Sequence, residues 1–372
     1  MQDEIISYFL KLVKIDSESG DERQMIDTLK EDLLALGALV EEDNTMAETK
    51  SNAGNLYAYI AGEIDKDPIL LCAHVDTVVP GKGVKPRIVG DIIESDGTTV
   101  LGGDDKSGVA EIMIALKRIK EKGIPHAPIE VLFTVSEEID LLGAKHFDKS
   151  RLKSRFGFAF DSHRVEDIVV GAPSQNSFDV VFKGIDAHAG VEPEKGLSAI
   201  RLAAEAIAAM PLGRIDYETT CSVGIIKGGE ATNIVPNKVI IRGEARSHNT
   251  EKLARICAEI ESTIQQAIQP YAEKGGKAEI TFVREYQAFR IPESSEMVQL
   301  AKTALQKLNV NPSFKIGGGG SDANIFNAAG FPMILIGTGM DKVHTVHESI
   351  EIAQLKLGTN FIEKLIMEYS EA

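Results

Sequence analysis

Three apolar runs of strand length end on histidine or carboxylate side chains, and this pattern limits the folds open to the chain. PILLCAHVD (68–76) closes on His74 and Asp76, IEVLFTVSEE (129–138) on Glu137 and Glu138, and FGFAFD (156–161) on Asp161. The runs are too short for helices and lack polar alternation, as expected of strands buried on both faces of a parallel sheet. NLYAYIA (55–61) adds another strand. Met1–Val13 and Arg23–Leu36 repeat apolar residues at helical spacing. SGVAEIMIALKRIKEKG (107–123) reads as a helix with Ser107 as N-cap and Gly123 as its stop. Residues 1–174 are therefore expected to form an α/β layer. The same pattern resumes after Pro292, with a helix from Glu293 to Leu308, a tetraglycine loop, the run PMILIG and a last helix near Ile350–Tyr369.

Between these parts the periodicity changes. Residues 175–288 read strand (NSFDVVFKG), helix (SAIRLAAEAIAAM), two strands (TCSVGIIKG, NKVIIRGEAR), helix (TEKLARICAEIESTIQQAI) and strand (KAEITFVRE). This β-α-β-β-α-β order is the ferredoxin-like unit, which buries one sheet face under two helices. The expected organisation is one domain, 1–174 plus 289–372, with a second domain, 175–288, inserted into it. A length of 372 residues suits two domains of about 100–200 residues each, allowing for insertions.

Composition narrows the partners. Asp and Glu number 56 against 40 Lys and Arg, a net charge of −16, so neither nucleic acid nor an anionic membrane is expected as a partner. Three scattered cysteines suit neither a disulfide framework nor a thiolate metal site. With no signal-peptide pattern and no apolar run of about 18 residues, a cytoplasmic location is expected.

The motifs are ambiguous one by one. His74-Val75-Asp76 places two side chains on the same side of a strand, where a carboxylate can orient a metal-bound imidazole; a structural histidine fits equally well. GGDDKSG (102–108) sets two aspartates side by side before a helix, an arrangement that favours a nearby cation but also suits a capping turn. It lacks the spacing of a phosphate-binding loop. Glu137 and Glu138 at the end of a buried strand need compensation, because two desolvated carboxylates cannot both stay ionised without it. HTVHE (344–348) follows another apolar strand. Together the clusters fall beside strands of one sheet, where open α/β folds bind ligands.

In order, spacing and companions, these clusters resemble the co-catalytic di-zinc exopeptidase and aminoacylase family, which includes peptidase T, carboxypeptidase G and succinyl-diaminopimelate desuccinylase. The resemblance spans essentially the whole chain, and GGDDKSGVAEI, TVSEE and GGGSDANIF look most like the peptidase T branch. It implies a three-layer α/β catalytic domain with an inserted lid or dimerisation domain. It also implies two Zn²⁺ per subunit, with Co²⁺ or Mn²⁺ as substitutes. His74 and Asp161 would hold one ion, Glu138 and His344 the other, and Asp104 would bridge them. Asp104 is chosen over Asp105 by the family's Asp-x-Lys motif, and His344 over His347 by its place four residues before Glu348. Two divalent cations then balance three ligand carboxylates and a hydroxide.

The same resemblance gives Glu137 the part of general base, Asp76 that of partner to His74, and His188 that of donor to the tetrahedral oxyanion. His188 would come either from a second copy, in a homodimer through the inserted domain, or from closure of its own chain. Asn233 and Arg246 would grip the substrate, and Gly319 and Gly320 would offer backbone N–H groups. The Asp104–Asp105 peptide is expected to be cis. One departure stands out. Where tripeptidases of the family carry Arg-Gly-Gly-Thr-Asp, this chain has Gly318-Gly319-Gly320-Ser321-Asp322, so one substrate handle is missing or replaced. The implied activity is hydrolysis of short peptides from the amino end. A deacylase or carboxypeptidase of the same family and a metal-stabilised binding protein are the alternatives.

Overall fold

A computed structural model describes residues 3–371; Met1 and Gln2, where the first expected helix begins, lie outside the described residues. The chain divides into two compact units. One comprises the chain up to Gly171, Arg290–Gly317 and the residues from Ser321 onward; the other comprises Ala172–Phe289 with Gly318–Gly320. Against the expected limits of 175 and 288, the second unit starts earlier, ends one residue later and takes in three glycines of the tetraglycine loop.

The first unit is an α/β fold built on an eight-stranded mixed sheet. Its order is Leu39–Glu42, Leu56–Ile60, Ile129–Thr134, Ile69–His74, Gly157–Phe160, Met333–Ile336, Asp167–Val169 and Ser313–Lys315. The four central strands run parallel, and every residue in them is buried. Their largely apolar runs follow from this, since a strand covered on both faces has no side to give to water; the buried Glu130 is the exception, its carboxylate accepting from the Tyr57 hydroxyl and the Lys153 and Ser154 N–H groups. Helices Glu4–Val13, Arg23–Ala35, Gly103–Lys122, Glu296–Lys307 and Ile352–Glu371 supply the rest of the core, through Phe9, Leu33, Ile112, Leu305 and Phe361 among others. Each such side chain contributes roughly 1.5–3 kcal/mol by its burial. Because the central strands are parallel, their carboxyl ends share one edge of the sheet. The residues just beyond Ile69–His74, Ile129–Thr134 and Gly157–Phe160 therefore gather there. A small sheet of Arg87–Val89, Ile92–Glu94, Met340–Asp341 and Ser349–Glu351 anchors both ends of the loop that carries His344.

The helix expected at 107–123 starts earlier. Gly102, at φ 77°, turns the chain, and Asp104 and Asp105 keep non-helical backbone before the regular turns begin. Ser107 is thus not the N-cap: its hydroxyl donates to the Gly103 carbonyl at 2.6 Å and lies 2.8 Å from Thr338 Oγ1. Gly123 does end the helix, in the left-handed conformation.

The second unit has the ferredoxin-like order. Strands Thr219–Gly228, Lys238–Ser247, Ser174–Lys183 and Lys277–Tyr286 lie side by side in that sequence, antiparallel throughout. Helices Ala199–Ala209 and Thr250–Ile268 cover one face, packing Leu202, Ala206, Leu253 and Ile260 on Val180, Phe182 and Ile241. Ser198 and Asn249 cap them by accepting N–H groups of the first turn. Among the described residues no helix is long and apolar enough to cross a membrane.

Gly108 tests how closely a helix approaches the sheet edge. An alanine Cβ there would lie 2.2 Å from the Phe160 carbonyl oxygen. Helix propensity alone favours alanine by about 1 kcal/mol, but overpacking against rigid backbone costs about 1–3 kcal/mol. Gly108→Ala should therefore destabilise the protein, read as a lower midpoint in urea; a higher midpoint would show that helix and strand can separate freely.

Candidate metal centre

Two histidines and a set of buried carboxylates meet at the sheet edge. His74 ends its strand with Nε2 lying 3.0 Å from Asp104 Oδ1, 3.8 Å from Asp161 Oδ1 and 4.0 Å from Glu137 Oε2. His344 Nε2 lies 3.2 Å from Asp104 Oδ2 and 3.1 Å from Glu138 Oε1. Asp104 thus turns one oxygen to each histidine. The sheet supplies His74, the Ser136–Glu138 turn and Asp161. The glycine turn before Gly103–Lys122 supplies Asp104, and the small sheet supplies His344, a non-glycine residue at φ 62°.

Asp105 is spent differently. Its oxygens accept the backbone N–H groups of His74 and Gly108, both at 3.2 Å. Although His74, Asp105 and Asp161 also group within 4.8 Å, only Asp104 faces both histidines. The peptide between the two aspartates is cis, as the resemblance implies. His347 borders a separate surface cavity with Arg87 and Lys342.

Asp76 does more than the partner role expected of it. His74 Nδ1 is 3.0 Å from the Asp76 carbonyl and 3.5 Å from its carboxylate, so the shorter contact is to the backbone. The carboxylate accepts the N–H groups of Glu137 at 2.9 Å and Glu138 at 3.1 Å, and the Ser19 hydroxyl at 2.6 Å. Glu348, which enters the sequence reading only as a landmark for His344, accepts the N–H groups of Gly102 at 2.8 Å and Asp104 at 2.9 Å. It thereby holds the turn that carries Asp104. Its burial and glutamate identity carry no motif of their own; its spacing from His344 is the one signal that points to it.

Charge at this edge is strongly coupled. Burial raises the carboxyl groups of Glu137 and Asp161 well above the usual range, Glu137 also feeling Asp161 and Asp161 feeling Asp104. Burial likewise raises Glu138, against the pull of the neighbouring His344. Burial would raise Asp104 too, but hydrogen bonds from His344 and His74 outweigh it and hold that carboxyl well below its ordinary value. Asp104 and Glu138 together push His344 up to about 10. Each group thus needs opposite charge beside it. Glu138 Oε1 is buried without a hydrogen bond of its own although His344 Nε2 lies 3.1 Å away, the arrangement of two donors facing a shared cation. One ligand atom each from His74, Asp104 and Glu138 falls within 4.8 Å. Nitrogen and oxygen donors of this kind suit a divalent transition metal. The residues fit the group.

The remaining expected residues lie in the second unit. His188 is exposed, and its Nδ1 accepts the Gly190 N–H at 3.2 Å. It pairs across a bridge with Ile234, beside Asn233, whose carbonyl accepts the Ala189 N–H. Arg246 is forked by Glu244, with Nε at 2.8 Å and Nη2 at 3.1 Å from its two oxygens. Gly319 has Arg246 Nη1 3.7 Å from where its Cβ would be, and Gly320 lies on the Tyr286 ring, where a Cβ would come within 2.1 Å.

Comparison with known proteins defines the class: the chain belongs to Peptidase family M20/M25/M40, whose model matches residues 70–368. Among its relatives, it is similar to a tripeptidase from Staphylococcus aureus, at 39% identity and a TM-score of 0.92, covering 99% of this chain and 98% of that one. It is similar as well to the aminopeptidase PepT structure from Bacillus cereus, at 41% identity and a TM-score of 0.87 with the same coverage. The uncharacterized protein YqjE of Bacillus subtilis is 40% identical over 98% of both chains.

With one oxygen toward each histidine, Asp104 is the side chain whose loss is expected to cost the most metal binding. After dialysis against Zn²⁺ and removal of free ion, Asp104→Ala should retain little of the metal held by the unaltered protein, while His347→Ala retains all of it. Equal metal content in the two variants would move the centre elsewhere.

Proposed function

We propose that this chain is a cytoplasmic aminopeptidase of short peptides, tripeptides among them, working with two Zn²⁺ ions per subunit. Co²⁺ or Mn²⁺ would suit the same donors. Family membership supports the hydrolytic class, and the names borne by the tripeptidase and aminopeptidase relatives support the substrate class. The observation that carries the reading is the Asp104 carboxylate turned to two histidines, with Glu137 buried near one of them, His74.

His74 and Asp161 would hold one ion and Glu138 and His344 the other, with Asp104 between. Bound there, the ions supply polarisation of the scissile carbonyl and a water of lowered pKa. Glu137, held by the Asp76 carboxylate at its backbone and left out of the ligand set, takes the proton of the attacking water and passes it to the leaving amine. His188 donates to the oxygen that becomes negative. Asn233, Arg246 and the N–H groups of Gly319 and Gly320 orient the substrate.

A panel of tripeptides, dipeptides and N-acyl amino acids, assayed with added Zn²⁺, tests the reading. Tripeptides with a free amino end should be cleaved to release the first residue. Turnover of N-acyl amino acids alone would make the protein a deacylase, and no turnover with full metal content would make it a binding protein. Metal analysis should find about two equivalents per chain. Glu137→Gln should keep them while kcat falls by roughly two to four orders of magnitude; near-normal kcat would take the general base away from Glu137.

His188→Ala should lower kcat far more than metal content, because its contact is made in the transition state. If a second copy supplies the histidine, mixing Glu137→Gln and His188→Ala proteins under subunit exchange restores part of the activity. Exchange without recovery assigns the histidine to its own chain.

A further inference from the structure

The strand Ile129–Thr134 stops two residues before the Ser136-Glu137-Glu138 turn, and from there the backbone is held by side chains. Four consecutive N–H groups are accepted in order: Val135 by Asn55 Oδ1 at 3.1 Å, Ser136 by Glu22 Oε1 at 3.1 Å, and Glu137 and Glu138 by the two oxygens of Asp76. Ser136 sits at φ 53°, in the left-handed region that residues with a Cβ rarely occupy. A non-glycine residue stays there only when its surroundings hold it.

Glu22 is the group that holds it. The residue is fully buried. Its Oε1 takes both the N–H and the hydroxyl of Ser136, the latter at 3.0 Å, along with the Gly20 N–H at 2.9 Å. Its Oε2 takes the Ser51 hydroxyl at 2.5 Å. A buried carboxylate with four donors is well satisfied, and two of the four come from the residue immediately before Glu137. Nothing about the fold of its own helix explains this, for Glu22 makes no side-chain cap to Arg23–Ala35.

We infer that Glu22 is a positioning residue of the reaction: by pinning Ser136 in its left-handed conformation it sets the direction in which the Glu137 side chain leaves the backbone. The inference rests on the reading of Glu137 as the general base. A misplacement of about 1 Å at such a group costs on the order of 10²-fold in rate. Glu138, the metal-ligand candidate on the same turn, keeps its own N–H bond to Asp76, and the other ligand candidates lie on other segments, so the loss falls on kcat.

Three variants of the zinc-loaded full-length protein, assayed on a tripeptide, test this. Glu22→Ala should lose about 10²-fold in kcat, with KM and metal content unchanged. Glu22→Gln keeps an oxygen for Ser136 and an amide for Ser51, so kcat should return to within a few-fold of the starting protein. If Glu22→Ala fails to melt cooperatively, Ser136→Ala removes only one of the bonds and should show the same split at roughly fivefold. The inference is overturned if the variant read keeps kcat within about twofold, or if its loss follows lost metal or a raised KM. Glu137→Gln in parallel separates the two readings. Should it stay active, the general base is wrong; should it be inactive while Glu22→Ala turns over normally, only the role of Glu22 falls.

Discussion

Burying several carboxylates at one edge of a sheet raises the free energy of each unless opposite charge lies beside it, and the charge on Asp104 is where this constraint is met. Asp104 is held below its ordinary value because two histidines face its two oxygens. Glu137, Glu138 and Asp161, with weaker compensation, are all pushed the other way. A divalent cation on either side of Asp104 would lower the cost for every member at once. The parallel sheet brings this about, since strands running the same way deliver their carboxyl ends, and the polar residues beyond them, to one place.

Apart from Glu137, the acidic residues described at this edge fall into two kinds. Asp104, Glu138 and Asp161 turn their oxygens toward histidines. Asp76, Asp105, Glu22 and Glu348 turn theirs toward backbone N–H groups: those of Glu137 and Glu138, of His74 and Gly108, of Gly20 and Ser136, and of Gly102 and Asp104. Hydrogen bonds to ionised acceptors are stronger than neutral ones. Turns that leave regular structure, with Ser136 and His344 at positive φ, are where such support is needed. The second kind holds the backbone of the segments from which His74, Asp104, Glu137 and Glu138 project.

This division explains what could be read from the sequence. The central strands are almost wholly apolar because they are covered on both faces, with Glu130 the one charged residue inside them, so their limits and the residues at their ends stand out. The inserted unit showed itself by its alternation of strands and helices. Ser107 reads as an N-cap in the sequence because a serine before an apolar helical run is the usual signature, whereas in the fold two glycines and two non-helical aspartates precede the first regular turn. Glu22 and Glu348 left less trace. A glutamate that accepts backbone N–H groups in the interior has the same neighbours in sequence as one on a solvated surface, and only the fold brings Ser136 to Glu22 or Gly102 to Glu348.

The glycines before Ser321 show the same economy in the second unit. Gly318–Gly320 belong to that unit although they follow Phe289 by a long stretch of the first. Gly320 is required there by packing, because any Cβ would run into the Tyr286 ring. Tyr286 in turn donates to Gln175 at 2.6 Å, and Gln175 donates to Glu244 at 3.0 Å. That glutamate forks Arg246. The chain of contacts therefore ends on a guanidinium whose charge is already balanced inside the unit. A carboxylate arriving at Arg246 would have to share it with Glu244 or displace it, and would meet a neutral pair instead of a free cation. The glycine at 320, the tyrosine ring it lies on and the paired Arg246 are thus one connected arrangement, in which removing Glu244 would free the guanidinium and adding a Cβ at 320 would displace Tyr286.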